Sequence, residues 1–497
     1  MNPNQYHRKN NVQGTVYVVS RGRALQKPLV YPQIGSLKTP LPTLFALLAT
    51  ILLPVGCARY QAKPLSLATA ATAFDRRSLT NSDVQAFVSA RLTNQLTPIT
   101  NWNLDALTLA AAFYHPSLQL ARAQADTAAA GKLTAAARPN PTVSFSPGYN
   151  FSAVSPANPW IPGATLEIPI ETAGKRGKRI LEAQQLALAA QFTVTSTAWQ
   201  IRSNIHLALI ELSAARERDR LVSEQISHQS ALLRLLEQRL TAGAIAANEL
   251  LPIQIAQARF QSDLAAARAS SVQSRAHLAD AIGIPIANLP ALELHDESLA
   301  PFEDIAALRA SALQHRADLL AALARYEAAQ AALQLEIAKQ YPDIRIGSGY
   351  QWDQGEHKWN MLLSLELPVL NRNQGPIAQA EARRTERAIE VIDAQARAIN
   401  EIDRAIASIQ SATSEAARAR DTLQTVQKQS QAVRERLAAG AADQSEVASA
   451  AIEETAAALV ALDSNTRALA AQAQLEAALQ IPSGIIEAAN APGLASQ

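Results

Sequence analysis

The sequence contains a single cysteine, Cys57, among its 497 residues. One thiol excludes an internal disulfide framework and the paired cysteines of structural zinc sites. The eight histidines are scattered without ligand spacing, and neither a His-Glu-x-x-His motif nor a glycine-rich phosphate loop is present. The residues therefore predict no cofactor, no resident metal ion and no enzymatic activity.

A strong excess of charge of one sign is also missing from the chain. The formal net charge is +2, and residues 1–56 contain six basic residues and no acidic one. The rest of the chain has 39 basic and 43 acidic residues, a net charge of −4. This body has no bulk electrostatic reason to bind nucleic acid, so no nucleic-acid partner is predicted.

The N-terminal segment has the features of an export signal. An apolar run at 41–55 follows Lys38 and ends just before Cys57. The run is short for a membrane-spanning helix and suits the core of a signal peptide. We predict a signal peptide at 1–56, similar to those of bacterial lipoproteins, with lipid attached to Cys57. The alternative is an ordinary signal peptide followed by an incidental cysteine.

The body of the chain repeats itself, with corresponding motifs 197 residues apart. Arg239-Leu-Thr-Ala-Gly243 matches Arg436-Leu-Ala-Ala-Gly440 at that offset. Each motif ends a long Ala-rich helical pattern, which itself follows a strand-like run, a proline and a glycine. This repetition indicates an internal duplication. The predicted segments are an N-terminal linker at 57–100, a first repeat at 101–290, a second repeat at 291–482 and a C-terminal tail at 483–497.

The helical patterns predict a mainly α-helical fold. The linker is polar and contains prolines, so it is predicted to be irregular. One unbroken helix is predicted from Leu104 to Pro139, and helices of about 65 residues, about 100 Å long, follow Gly174 and Gly375. A short helix and a returning helix together match one long helix, so they can stack end to end beside it. The expected result is a long barrel of antiparallel helices.

Two short islands between the helices alternate apolar and polar residues as β-strands do. They cover 142–170 and 344–367, with two strands each, and three of the five tryptophans lie at their loop ends: Trp160, Trp352 and Trp359. One interpretation is a pair of hairpins packed on the helices with their apolar faces inward. The other is a transmembrane β-barrel with apolar residues outward. The export signal and the aromatic residues favour the barrel.

Four strands cannot close a barrel, which has a consequence for assembly. Every backbone N–H and C=O must be paired in lipid, so open sheet edges are not tolerated there. Several chains must therefore share one barrel. In the barrel interpretation, the alternation places three charged residues on the lumen side: Glu167, Arg345 and Glu366.

The order and spacing of these features resemble the TolC family of outer-membrane efflux proteins over nearly the whole mature chain. The resemblance rests on Ala-Ala-Phe-Tyr-His-Pro-Ser-Leu-Gln-Leu-Ala at 111–121, on Leu-Pro-Val-Leu-Asn-Arg-Asn-Gln-Gly-Pro-Ile-Ala-Gln-Ala at 367–380, and on the two Arg-Leu-x-Ala-Gly turns. Ile-Pro-Ile-Glu-Thr-Ala-Gly-Lys-Arg at 168–176 looks like the CzcC branch, which serves heavy-metal cation exporters.

The resemblance implies a homotrimer in the outer membrane, with one shared twelve-stranded barrel and a periplasmic tunnel of helices. Substrate would come from an inner-membrane pump through a periplasmic adaptor protein. The adaptor would contact the helix tips, which correspond to Arg239, Leu240, Gly243, Arg436, Leu437 and Gly440. Acidic residues near such tips narrow the closed channel in the family, so the candidate gate residues are Glu249, Asp443 and Glu446.

The favoured function is a passive exit duct of a tripartite efflux system, with heavy-metal cations as the expected cargo. The alternative from another class is a lipid-anchored periplasmic coiled-coil scaffold whose β islands are adhesion hairpins. A protein-secretion duct of the same family is a third interpretation. Four strands of membrane-spanning length favour a duct, because a scaffold has no need for them.

Overall fold

The computed structural model describes residues 59–92, 99, 102–154, 156–292, 299, 304–481 and 484–490. The predicted signal peptide and Cys57 lie outside these residues. The chain divides into two units, Met1–Leu65 and Ser66–Gln497. In the first unit, residues 59–65 are exposed and have no regular secondary structure.

The second unit is mostly helical with a small β part, as predicted. The elements of its first half are α1 (Leu67–Asp75), α2 (Ser82–Leu92), α3 (Leu104–Tyr114), α4 (Pro116–Ala136), β1 (Thr142–Phe145), β2 (Gly148–Tyr149), β3 (Trp160–Ile161), β4 (Gly163–Ile170), α5 (Lys175–Thr241) and α6 (Leu251–Ile282). Those of its second half are α7 (Ile305–His315), α8 (Ala317–Ala338), β5 (Ile344–Asp353), β6 (Glu356–Leu365), α9 (Gln374–Ala438), α10 (Gln444–Leu479) and α11 (Gly484–Asn490). Among the described helices, none is both long and apolar enough to span a membrane.

The two predicted β islands join into one antiparallel sheet. Its strand order is β1–β4–β5–β6, and β2 and β3 form a separate two-stranded sheet. The first island was expected to contain two continuous strands, but its first strand stops after Phe145, because Pro147 has no N–H to donate to a ladder. β6 ends at Leu365, before Pro368, so Glu366 lies beyond the sheet.

The single helix predicted from Leu104 to Pro139 is wrong, because α3 and α4 are separate helices. They are separated at His115, whose backbone is extended with φ −69° and ψ 121°. Pro116 disfavours a helical conformation in the residue before it. Proline then suits the first position of α4, where its missing N–H breaks no hydrogen bond.

The irregular structure predicted for the linker is also wrong, since α1 and α2 lie within it. α2 packs against α3 and buries Val84, Phe87 and Val88. These residues have the i, i+3, i+4 spacing of one helix face. The Asn81 side chain accepts the Asp83 N–H at 2.9 Å at the start of the helix. This short amphipathic helix was not predicted because the residues around it are polar.

The long helix α5 is the centre of the helical layer. It packs against α4 and α6 and also against α8 and α10, and α9 packs against α8 and α10. The end of α6 meets the start of α4 at Gly283, where an added Cβ would lie 3.2 Å from the His115 Cα. The end of α10 meets the start of α8, where Arg316 Nη1 donates to the Ala478 carbonyl at 2.6 Å. The predicted end-to-end stacking of the shorter helices is thus confirmed.

Two apolar clusters lie near these stacking points. The larger cluster joins α2, α3, α4, α5, α6 and α11, and its fully buried members include Leu107, Ile205 and Ile282. The other cluster joins α7, α9 and α10, with Ile402 and Leu475 fully buried. Both α2 and α11 belong to the larger cluster. Segments from near the two ends of the described second unit therefore pack on the same core as α3, α5 and α6.

We expect Gly283→Ala to lower the apparent melting temperature followed by circular dichroism. Gly283 has φ +86°, so alanine there combines left-handed strain with a clash against His115, at a cost of about 1–3 kcal/mol. Gly131→Ala is the matched control, because Gly131 lies inside α4 with no heavy atom within 4 Å of an added Cβ. That change should be neutral or stabilising. Equal melting temperatures for the two variants would contradict the close approach of α6 and α4.

Candidate functional site

The four-stranded sheet has one apolar and one polar face, because paired residues in its register point to the same side. The polar face carries one leucine, Leu362, among mostly polar or small residues that include Thr142, Ser144, Thr165, Glu167, Arg345, Gly347, Gly349, Gln351, Asp353, Glu356, Lys358, Asn360 and Ser364. The other face is mostly apolar, and most of its side chains are exposed, among them Val143, Phe145, Leu166, Ile168, Ile170, Ile346, Trp359, Met361, Leu363 and Leu365. A sheet packed on a protein core buries its apolar face, but here Leu363 is 72% exposed. Hairpins with their apolar faces packed inward on the helices are therefore excluded.

Aromatic side chains gather at the end of the sheet that is remote from the helices. Tyr350 and Trp359 are paired across β5 and β6, with ring centroids 4.9 Å apart. Tyr149 contacts both Phe151 and Trp160, with centroids 5.0 and 5.1 Å apart. Amphipathic rings of this kind are typical of the boundary between lipid and water. The apolar face is thus bordered by an aromatic cluster at this end.

A buried lysine joins the two halves of the chain at the helix-proximal end of the sheet. Lys175 is the first residue of α5 and its side chain is 9% exposed. Its Nζ donates to the Tyr341 carbonyl and to Asp343 Oδ1, both at 2.7 Å. The Thr172 N–H donates to the same carboxylate oxygen at 2.9 Å. Burial acts to raise the pKa of Asp343, but the hydrogen bonds from Lys175 and Thr172 outweigh it and lower that pKa. This junction was not predicted from the sequence.

A cavity of about 670 Å³ opens between α5, α8 and α9 near the sheet. Its charged lining consists of three carboxylates and three guanidinium groups, from Glu182, Glu336, Glu386, Arg325, Arg383 and Arg387. Burial raises the pKa of the Glu182 carboxyl. Because the two signs are balanced, the lining favours neither cations nor anions. Within the described parts of the chain, no group of three or more His, Cys, Asp or Glu residues could hold a metal ion.

The predicted lumen residues are brought together only in part. Glu167 and Arg345 lie on the polar face, and their Oε1 and Nη1 atoms are 3.4 Å apart. Glu366 follows the last residue of β6 and is exposed. Of the three predicted lumen charges, two therefore form one loose pair on the polar face, and the third lies beyond the sheet.

The predicted helix tips are the turns between each long helix and its returning helix. Gly243 and Gly440 have φ +72° and +71°, the left-handed conformation that glycine adopts most readily. Arg239, near the end of α5, donates to Asp443 Oδ2 at 2.9 Å. This bond joins the turn of the first half to the turn of the second. Leu240 and Leu437 are half-buried beside them.

The three candidate gate residues have different partners. Asp443 is the N-cap of α10 and accepts the N–H groups of Ser445 and Glu446 at 2.7 and 3.0 Å. Hydrogen bonds from Ser445 and then from Arg239 hold the pKa of Asp443 well below its usual range. Glu446 pairs with Arg436 at 3.3 Å. Glu249 lies in the other turn, where it accepts the N–H of the residue three positions earlier at 3.1 Å.

The amphipathic sheet, the long paired helices and the glycine turns together point to one protein family. The family model described as outer membrane efflux protein matches residues 110–284 and 308–479, more than half of the chain. The chain belongs to the outer membrane efflux protein family. The resemblance drawn from the sequence is thus confirmed.

Several individual proteins are similar to this chain in sequence or in fold. It is 26% identical over 220 residues to the cobalt-zinc-cadmium resistance protein CzcC of Cupriavidus metallidurans, a match that covers 44% of this chain and 52% of that protein. The match thus spans about half the length of this relative. The outer membrane protein VceC of Vibrio cholerae superposes with a TM-score of 0.63 at 21% identity, over 76% of this chain and 95% of VceC. The CmeC outer membrane channel of Campylobacter jejuni gives 0.62 at 14% identity, over 81% and 95%. These two structures share the fold.

We expect Asp343→Ala to destabilise the protein strongly, because it leaves the buried Lys175 ammonium without its counter-charge. Removing one partner of a buried pair costs about 3–5 kcal/mol, reduced here because the Asp343 side chain is 40% exposed. The double variant Lys175→Met with Asp343→Ala should recover part of the loss. Asp393→Ala is the control, since Asp393 forms an exposed i,i+4 pair with Arg397 worth about 0.5 kcal/mol or less. Similar melting temperatures for both Asp variants would contradict the role of Lys175.

We expect the Arg239–Asp443 contact to persist on moderate acidification. A carboxyl whose folded pKa is lowered contributes stability above its ordinary pKa, and loses it only as the pH falls through the lowered value. Spin labels at exposed Thr241 and Ala441 should keep one distance distribution from about pH 8 to about pH 5. Asp443→Ala should broaden that distribution already at neutral pH. A transition near pH 6 in the unsubstituted protein would contradict this assignment.

Proposed function

We propose that three copies of this chain form an exit duct in the outer membrane, which passively passes substrate from an inner-membrane pump and a periplasmic adaptor to the exterior. The observation that supports the duct most strongly is the exposed apolar face of the sheet, opposite a polar face. Water disfavours such a surface, whereas lipid requires it on the outside of a barrel. The polar face, with Glu167 and Arg345, then lines the lumen.

The free edges of the sheet support assembly of several copies. Among the described residues, β1 and β6 each have one neighbour in the four-stranded sheet, so one side of the 10-residue β6 has no strand beside it. Each unpaired backbone group costs several kcal/mol in lipid. Pairing of β6 in one copy with β1 in the next removes these edges, and three copies give a twelve-stranded barrel, as the TolC resemblance implies.

The helical layer supports the same assembly. Leu120 and Leu133 on α4 and Ile389 and Ile392 on α9 are at least 60% exposed. α4 and α9 lie at different edges of the layer, because α4 packs against α5 whereas α9 packs against α8 and α10. Contact between α9 of one copy and α4 of the next would cover these side chains and close the helices into a periplasmic tunnel.

The helix tips are the proposed adaptor contacts, through Arg239, Leu240, Gly243, Arg436, Leu437 and Gly440. They lie at the far end of α5, whose 67 residues extend about 100 Å from the sheet. The proposed gate consists of the acids Glu249, Asp443 and Glu446. Because Arg239 binds Asp443, opening of the tips requires that this pair separate.

Heavy-metal cations are the proposed cargo, with the similarity to CzcC and the 168–176 segment as support. The balanced charges of the cavity near the sheet fit a conduit better than a binding site, because a duct must release what it admits. The same proposal includes lipid attachment at Cys57, which would anchor the duct to the outer membrane. A strain that lacks this protein should become sensitive to cobalt, zinc or cadmium, and sensitivity only to drugs would contradict the cargo.

The duct is tested by isolating the mature protein with outer-membrane vesicles. Gel migration with and without boiling reports the trimer, and planar-bilayer recording reports conduction. A heat-sensitive trimer with small, discrete conductance steps supports the duct. A monomer that is released by washing and gives no conductance would contradict it and favour the periplasmic scaffold.

Neighbouring residues on β6 give a matched test of the two sheet faces. Leu363 lies on the apolar face and Ser364 on the polar face. Leu363→Arg is expected to reduce the membrane-inserted, heat-sensitive trimer, because arginine on the lipid-facing side of a barrel costs up to about 4 kcal/mol, depending on its depth. Ser364→Arg should assemble normally and shift ion selectivity toward anions. Equal assembly of both variants would contradict a lipid-exposed apolar face.

A further inference from the structure

Two ion pairs and one histidine–glutamate contact cross the seam between α5 and α10. From the tip toward the sheet they are Arg239–Asp443 at 2.9 Å, Arg218–Asp463, and His206–Glu476 at 3.7 Å. Between successive pairs the residue number falls by 21 and then 12 on α5, while it rises by 20 and then 13 on α10. The pairs therefore lie along one antiparallel seam that joins the two helical hairpins of the chain.

The packing of the second hairpin, α9 and α10, changes along its length. Between Asp443 and Asp463, the buried residues of α10 are Ala448, Ala450, Ala451 and Thr455. Beyond Asp463 toward the sheet, the buried residues of α10 stay small as far as Ala473, and Leu475 and Leu479 follow. α9 follows the same pattern, with Ile402 and Ile409 buried in its sheet-proximal part and only Ala416 and Ser430 buried nearer the tip. Small buried side chains remove little apolar surface from water, so the tip-proximal part is weakly held.

The first hairpin, α5 and α6, is packed differently at the same height. α5 buries Leu221, Val222 and Leu232 between its middle pair and its tip. Leu250, at the start of the returning segment, is buried as well. Within α6 itself no residue before Ala267 is buried. The firmer packing near the tip therefore belongs to α5, and the second hairpin is the one that we expect to move.

The middle pair has the strength expected of a reversible contact. The Arg218 and Asp463 side chains are 40% and 45% exposed, and half-exposed ion pairs are weak and easily separated. The pair lies about 30 Å from the tip along α5, at 1.5 Å per residue. It lies within the weakly packed part of the second hairpin, between the tip and the level at which leucine and isoleucine packing begins.

We propose that Arg218–Asp463 is a second latch, which confines the opening movement of α9 and α10 to the segment between this pair and the tip. The proposal rests on the proposed duct function. With the second latch intact, release of Arg239–Asp443 lets only the tip-proximal segment swing away from α5. With both pairs removed, the swing extends toward the sheet and the opening becomes wider.

Single-channel conductance of four reconstituted proteins tests the second latch: the unsubstituted protein, Asp443→Ala, Asp463→Ala and the double variant. Asp443→Ala should raise the conductance, Asp463→Ala alone should leave it unchanged, and the double variant should exceed Asp443→Ala by about twofold or more. Arg218→Asp with Asp463→Arg, placed in the Asp443→Ala background, should return the conductance to that of Asp443→Ala alone. Conductance of the double variant equal to that of Asp443→Ala would overturn the second latch.

Asp403→Ala in the Asp443→Ala background is the matched control. Asp403 is a similarly exposed residue of α9, but its partner, Arg309, lies on α7 and away from the seam. This control should have the conductance of Asp443→Ala alone. A rise equal to that of the double variant would mean that any lost ion pair loosens the helices, and would overturn a specific role for Arg218–Asp463.

Distance measurements give an independent readout that needs no conduction. Spin labels at exposed Ser227 and Ala456 report the distance between α5 and α10 in the segment between the two latches. Labels at exposed Asn204 and Gln474 report the same distance on the sheet side of the second latch. Asp443→Ala alone should broaden only the first distribution, whereas the double Asp variant should broaden both, and the native Cys57 contributes the same background to both. Broadening of both distributions in Asp443→Ala alone, or of only the first in the double variant, would overturn the proposal. A protein that gives no conductance but shows the selective broadening would overturn the duct and retain the latch.

Discussion

Backbone hydrogen bonding in the sheet is the constraint on which the rest of the structure depends. A single four-stranded sheet with an exposed apolar face and two free edges suits neither water nor lipid. Water would disfavour the apolar face, and lipid would leave the edge N–H and C=O groups unpaired at several kcal/mol each. A shared barrel satisfies both conditions at once. The assembly proposed here is therefore a consequence of local strand chemistry.

The helices extend this arrangement over a long distance because α5 is continuous. One end of α5 is fixed at the sheet by Lys175, which binds Asp343 of the other half, and its other end carries Arg239, which binds Asp443. The two contacts differ in character. The Lys175 side chain is buried and its loss is costly, whereas Arg239 and Asp443 are half-exposed and can separate at little cost. A firm junction at the membrane and a weak one at the tip suit a duct that opens at its periplasmic end.

Periodic features were predictable from the sequence, and contacts between distant segments were not. The two long helices, the left-handed glycines at 243 and 440, and the alternation in β6 all follow from patterns within a few neighbouring residues. The break at His115 was also a local signal, from Pro116, but helical periodicity on both sides obscured it. The apolar stripe of Val84, Phe87 and Val88 was missed because its surroundings are polar. Pairs such as Lys175–Asp343 and Arg218–Asp463 depend on the register between segments far apart in the chain, which no local pattern encodes.

The most direct test of the central claim is a cryo-electron-microscopy structure of the mature protein in lipid nanodiscs. The predicted result is three copies around one barrel, with β6 of each copy hydrogen-bonded to β1 of the next and lipid against Ile168 and Leu363. A single copy with both sheet edges free, or an assembly in which the apolar face packs on protein outside the lipid, would contradict the shared barrel.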